Sequence, residues 1–191
     1  MKILKDRILK DGKAIGDDIL KVDSFLNHQL DVELLDEIGK EFAERFSGCG
    51  INKILTVESS GIAIACSVSR AMGYLPVVFA KKTTPSTMTD GFYSAPVRSF
   101  TKGTVSDVRV SEQYIGSNDR ILIIDDFLAS GEAGMGLLEI CRRSGAECIG
   151  LGAVIEKYYQ GGSERLRKEG IRVESLAVIS SIHDGNIVFK E

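Results

Sequence analysis

The stretch Ile121–Ala133, ILIIDDFLASGEA, decides the fold. Ile121–Ile124 present no polar face, so they read as a strand buried on both sides. Two carboxylates, Asp125 and Asp126, stand at its C-terminal end. Ala129, Ser130 and Gly131 form a short bend of small residues, and Glu132 and Ala133 open a helical pattern that runs to Arg143. A helix start offers unpaired N–H groups and the positive end of the helix dipole, so this strand, loop and helix can cradle a phosphate. Ala129 and Gly131 allow close backbone approach, and the Ser130 hydroxyl adds a donor. Paired acids beside such a site would repel a bare anion. They suit a phosphorylated polyol whose hydroxyls donate to them, or a reaction in which positive charge develops nearby. A ribose phosphate meets both conditions; the bland alternative is that Asp125 and Asp126 merely cap a turn.

On either side of this segment, apolar runs alternate with helical stretches. Before it come a helix from Asp31 to Phe46, with Asp31 as N-cap, a strand over Lys53–Val57, a helix over Ile62–Met72 and a strand over Leu75–Ala80. After the helix that ends at Arg143 come a strand over Cys148–Ile155, a short charged helix near Ser163–Lys168 and a strand over Ile171–Ile179. Strands without alternation, in β-α-β order, predict an α/β fold with a central, mainly parallel sheet flanked by helices. A length of 191 residues suits one domain over 1–191. No GxGxxG follows a strand and no GxxxxGK[ST] occurs, so the dinucleotide and nucleoside-triphosphate fingerprints are missing. A receiver domain carries paired acids after its first strand, whereas these acids come late in the chain.

Two segments break the rhythm. Residues 81–102, KKTTPSTMTDGFYSAPVRSFTK, are polar and rich in Thr and Ser; they read as a long excursion or hairpin over one sheet edge. Loops of this length are usually functional, so a lid is expected, with a plain flexible loop as the alternative. The first ~30 residues, including LKVDSFLNHQ, read as a small appendage over the C-terminal edge of the sheet, where open α/β folds bind ligands.

Hydrophobic residues at 43% and charged residues at 27% exclude a disordered chain. The net charge of -3 gives no reason to expect a nucleic-acid partner. Charges interrupt the apolar pairs of MKILKDRILKDGK, so no signal peptide is expected, and no apolar run reaches the ~18 residues of a membrane span. Cys49, Cys66, Cys141 and Cys148 form no CxxC pair and lie far from His28 and His183 in sequence, so reduced, packed thiols in a cytoplasmic protein are expected, and no structural zinc.

Together these segments identify a resemblance. ILIIDDFLASGEA resembles the phosphoribosyl-diphosphate (PRPP) motif of the type I phosphoribosyltransferases. LKVDSFLNHQ (Leu20–Gln29), VESSGIA (Val57–Ala63), VVFAKK (Val77–Lys82), SFTK (Ser99–Lys102) and VIEK (Val154–Lys157) extend the likeness over nearly the whole chain, to the bacterial xanthine phosphoribosyltransferases. The resemblance implies the type I fold with a small hood, formed by about residues 1–30 with C-terminal elements, and a lid at about 81–102. It implies transfer of 5-phosphoribosyl from PRPP to a purine, with Mg2+ held mainly through the diphosphate and no dedicated protein metal site. A homodimer is implied as well.

Residue by residue, the family's 5-phosphate loop falls on Ala129, Ser130, Gly131, Glu132 and Ala133. Ala133 departs from the hydroxyl that many relatives carry there, so backbone N–H groups must supply more of the contact. Asp125 and Asp126 match the ribose-hydroxyl acids. Glu58, Ser59, Ser60 and Gly61 match the diphosphate loop, with Lys81 and Lys82 in reach of it. Leu20, Asn27 and Lys157 match the residues that grip the base. Lys157 offers only donors, which suits the exocyclic oxygen of a 6-oxopurine and not the amino group of adenine. The alternatives are a phosphoribosyltransferase for guanine, hypoxanthine or adenine, or a PRPP-binding regulator without catalysis. Against the regulator, about 30 residues ahead of the first amphipathic helix are too few for a DNA-binding domain.

Overall fold

Residues 1–82, 91–98 and 105–190 are described in the structure, a computed structural model. In chain order the elements are α1 (Lys2–Asp11), β1 (Lys13–Ile15), β2 (Ile19–Lys21), a single π-helical turn (Asp23–Asn27), α2 (Val32–Arg45), β3 (Lys53–Val57), α3 (Ser60–Ala71) and β4 (Val77–Ala80). Then follow β5 (Phe92–Arg98), β6 (Val105–Ser111), β7 (Arg120–Leu128), α4 (Glu132–Ser144), β8 (Glu147–Lys157), α5 (Gly162–Lys168), β9 (Arg172–His183) and β10 (Asn186–Phe189).

The central sheet has six strands in the order β10-β9-β8-β7-β3-β4, parallel except for β10, which folds back antiparallel on β9. Its core strands are apolar on both faces. In β7, Leu122 and Ile124 point into the layer under α2 and α3, while Ile121 and Ile123 enter the layer under α4 and α5. The sequence expectation of an α/β, mainly parallel sheet holds. The connection from β3 leads to β4 on one side, and the connection from β7 leads to β8 on the other. The crevice between the carboxyl ends of β3 and β7 is therefore the topological switch point, where such sheets bind ligands.

Asp31 caps α2 as expected, its Oδ1 accepting from the Leu34 N–H at 3.1 Å. The Phe42 and Phe46 rings reach Gly152 and Gly150 of β8, where an added Cβ would sit 2.7 Å from either ring. Four residues of helix and two of strand both advance about 6 Å, so the ring pair and the glycine pair fall into register.

Several expectations need correction. The strand bearing Asp125 and Asp126 does not end at the acids. It pairs on with β8 as far as Leu128 opposite Glu156, because Phe127 and Leu128 extend the ladder. The first amphipathic helix is α1, which precedes α2 and buries Leu4 and Ile8. The excursion at 81–102 is in part a hairpin of β5 and β6 that runs on to Ser111. It is tied to the β4 edge through Lys81 and Arg109, and to α4, where Arg143 Nη1 donates to the Ser94 carbonyl at 2.8 Å. Of the lid expected at about 81–102, residues 83–90 and 99–102 lie outside the described residues. All four cysteines are free; Cys141 is buried, but Cys66 is exposed on α3 rather than packed.

Candidate active site

A cleft of about 600 Å³ opens at the switch point. The loop after β3 contributes Glu58, Ser59, Ser60 and Gly61, and the turn after β4 contributes Lys82. Asp125 and Asp126 of β7 stand on its floor, and Ala129–Ala133 form the far wall. One cleft thus holds the expected phosphate loop, the paired acids, the diphosphate loop and Lys82. Lys81 is turned away: its backbone bridges to Arg109, and its ammonium lies 5.9 Å from the Phe79 ring centre.

Local geometry explains each wall. Gly131 has φ +82°, a left-handed conformation that costs other residues energy, and it lets the chain leave β7 and enter α4 at once. Gly131 and Gly162 pack backbone to backbone. A Cβ on Gly162 would come 2.3 Å from the Ala129 carbonyl oxygen, and the Gly162 N–H donates to that same oxygen at 3.0 Å. Arg165 of α5 pairs with Glu132 and donates to the Ser130 carbonyl at 3.4 Å. The Glu132 charge is therefore countered beside the loop that the sequence marks as the candidate phosphate site. The α5 residues were not foreseen, although Gly161-Gly162 ahead of the short charged helix marks a close backbone approach.

On the opposite wall the Glu58 carboxylate accepts from the Lys82 N–H at 2.7 Å, which joins the turn after β4 to the loop after β3. Gly61 presses on the Thr56 side chain, where any Cβ would meet Oγ1 at 2.1 Å. Arg98, at the end of β5, is a second cation lining the cleft that sequence reasoning missed.

Asp125 is buried, and its Oδ1 accepts the Asp126 N–H at 3.0 Å. Burial, with the Asp126 charge second, pushes its carboxyl well above the ordinary carboxylate range; Lys82 pulls the other way.

The residues expected to grip the base, Leu20, Asn27 and Lys157, are not among those that line the cleft. Lys157, at the end of β8, holds its ammonium 6.0 Å from the ring centre of Phe127, which does line it. Leu20 is buried in β2, and Asn27 is exposed at the end of the π-helical turn. Of the first 30 residues, the turn between β1 and β2 meets the carboxyl end of the sheet, whereas α1 buries Leu4 and Ile8 in the layer of α2 and α3. Lys157 meets the turn between β1 and β2 at the Asp18 carbonyl, and His183 of β9 lies 3.4 Å from Asp17.

No protein-family model matches the chain. It is 54% identical over 190 residues to xanthine phosphoribosyltransferase 2 of Clostridium botulinum, covering 100% of both chains. It is likewise 54% identical over 189 residues to a xanthine phosphoribosyltransferase of Moorella thermoacetica, covering 99% of this chain and 96% of that one. Among solved structures it is similar to an adenine phosphoribosyltransferase of Giardia lamblia complexed with 9-deazaadenine. The TM-score is 0.77 at 20% identity over 92% of this chain and 96% of that one, a likeness of fold alone.

Proposed function

The chain belongs to the xanthine phosphoribosyltransferase family, and from that premise we propose that it joins xanthine to the ribosyl carbon of PRPP, giving xanthosine 5'-monophosphate and diphosphate. The observation that carries this reading is the cleft, in which a phosphate loop, paired acids and a second anion loop face one another at a sheet switch point. The 5-phosphate is held by the backbone of Ala129, Ser130, Gly131, Glu132 and Ala133. The diphosphate lies toward Ser59, Ser60, Gly61 and Lys82. Lys81 plays no part in that contact in this conformation.

The reaction forms a C–N bond at the ribosyl carbon as the C–O bond to diphosphate breaks and its electron pair leaves with the diphosphate. The sugar passes through an oxocarbenium-like state. Asp125 and Asp126 hold its hydroxyls and favour its positive charge. Asp126 is the candidate to receive the proton shed by the purine nitrogen. The groups around the cleft able to hold a cation (the carboxylates and the Ser59 and Ser60 hydroxyls) offer oxygen, which fits Mg2+. Asp125 and Asp126 would hold the ion through its waters, and when bound it neutralises charge on the departing diphosphate. Lys157 and Asn27 read the base, with Leu20 as an apolar or backbone contact.

The same reading carries a homodimer in the cytoplasm; no described helix is long and apolar enough to cross a membrane. The test is a steady-state comparison of xanthine, guanine, hypoxanthine and adenine with PRPP and Mg2+. The reading expects the highest kcat/KM for xanthine, and a preference for adenine would remove it. In the same assay Lys157→Ala lowers the selectivity for xanthine over adenine by about tenfold or more, while the KM for PRPP stays within about twofold.

A further inference from the structure

Three side chains at the end of β8 and in the turn after it converge on one residue of the turn between β1 and β2. The Tyr159 hydroxyl donates to Asp18 Oδ1 at 3.1 Å, and Gln160 Nε2 donates to the same oxygen at 2.5 Å. The Lys157 ammonium donates to the Asp18 carbonyl and stands 3.9 Å from Oδ1. The Lys157 side chain is only 12% exposed, while that of Asp18 is 43% exposed.

A lysine on four rotatable bonds would normally leave its charge in water. Here one proton of the ammonium is committed to a main-chain carbonyl. That carbonyl belongs to a turn whose own carboxylate is anchored by Tyr159 and Gln160, so it cannot drift. The ammonium retains two further donors, next to the Phe127 ring that lines the cleft. The nearby carboxylate supplies the countercharge that a largely buried cation needs. Burial does pull the Lys157 ammonium toward deprotonation, and Asp18 opposes it.

We infer that Asp18 is a positioning residue for base recognition: it fixes the Lys157 ammonium at the edge of the cleft, aimed at a purine oxygen, by anchoring the turn that holds it. The inference rests on the proposed role of Lys157 in reading the base. It adds a residue that none of the sequence motifs singled out, in a turn that would otherwise pass for a solvated loop.

The test uses the full chain with substitutions Asp18→Ala, Asp18→Asn and Lys157→Ala, and the double variant Asp18→Ala/Lys157→Ala. An Asn side chain retains an acceptor for Tyr159 and Gln160, whereas Ala has none. Asp18→Ala is expected to raise the KM for xanthine about tenfold and leave the KM for PRPP within about twofold. Asp18→Asn is expected to recover most of that loss. In the Lys157→Ala background Asp18→Ala adds nothing further, because its effect runs through the missing ammonium. An unchanged KM for xanthine in Asp18→Ala, a parallel rise in both KM values, or a full additional loss in the double variant overturns the inference. An inert Asp18→Ala beside an impaired Lys157→Ala removes this inference alone. A Lys157→Ala enzyme with intact base preference removes the base-site reading and the inference together.

Discussion

Asp125 illustrates how a single side chain is held against its own stability. Its carboxyl is buried beside Asp126 with Lys82 as the cation acting on it, so the folded protein binds a proton there more tightly than the unfolded chain does. With a folded pKa above the unfolded value, stability falls as pH rises through the window between the two. Substituting Asp125→Asn removes that cost. The variant should melt higher at neutral pH by about 2–4 °C, for a gain of about 1 kcal/mol, and the gap should close as the pH drops toward the unfolded carboxylate range. Its kcat/KM should fall by about 100-fold or more, because the charge that favours the sugar cation is gone. Melting curves across pH, read beside rates, check both halves. A variant destabilised at neutral pH would mean that the carboxylate is a structural anchor instead. That Asp125 belongs to the site was legible in IIDDFLASG; its burial was not, because the strand was read as ending at the acids, whereas it runs on to Leu128.

The loop over Ala129–Gly131 works only as part of a larger element. Gly162 lies against it so closely that a methyl group would strike the Ala129 oxygen, and the Gly162 N–H hydrogen-bonds that oxygen. On the proposed function, in which this loop meets only the sugar phosphate, Gly162→Ala should raise the KM for PRPP by about tenfold or more while moving the KM for xanthine far less. Steady-state kinetics with each substrate varied would show it, and equal shifts in both KM values would place the loop elsewhere in the mechanism. The loop proposed to hold the phosphate was legible as a strand, small residues and a helix start because the three are contiguous. Its brace was not, because Gly162 and Arg165 come some thirty residues later and meet it only after β8 and α5 have folded. The same limit hid β10, whose NIVF run is as short as many loops, and α1, whose buried stripe is little more than Leu4 and Ile8. Leu20, Asn27 and Lys157 entered as candidates for the base only through family resemblance, since nothing in their spacing links the N-terminus to the end of β8.

At the scale of the whole molecule, the sheet divides two apolar layers, and the cleft opens at its carboxyl end. A change deep in one layer can therefore alter stability without touching the chemistry. The contact of Phe42 with Gly152 is the clearest place to ask this. A Cβ at position 152 would lie 2.7 Å from Phe42 Cε1 and 2.9 Å from Ile124 Cδ1, both fully buried. Neither neighbour has free space to retreat into, so the helix carrying Phe42 must lift or its ring must leave a favoured rotamer. Overpacking of this kind costs about 1–3 kcal/mol, so Gly152→Ala should lower Tm by roughly 2–12 °C. Pairing it with Phe42→Leu, which gives up ring volume at the same spot, should cost less than the sum of the two single changes, because the smaller side chain makes room for the methyl group. The KM values for both substrates should stay within about twofold in Gly152→Ala wherever the protein remains folded. Losses that simply add in the double variant would mean that α2 is not held by its rings seated over the glycines of β8.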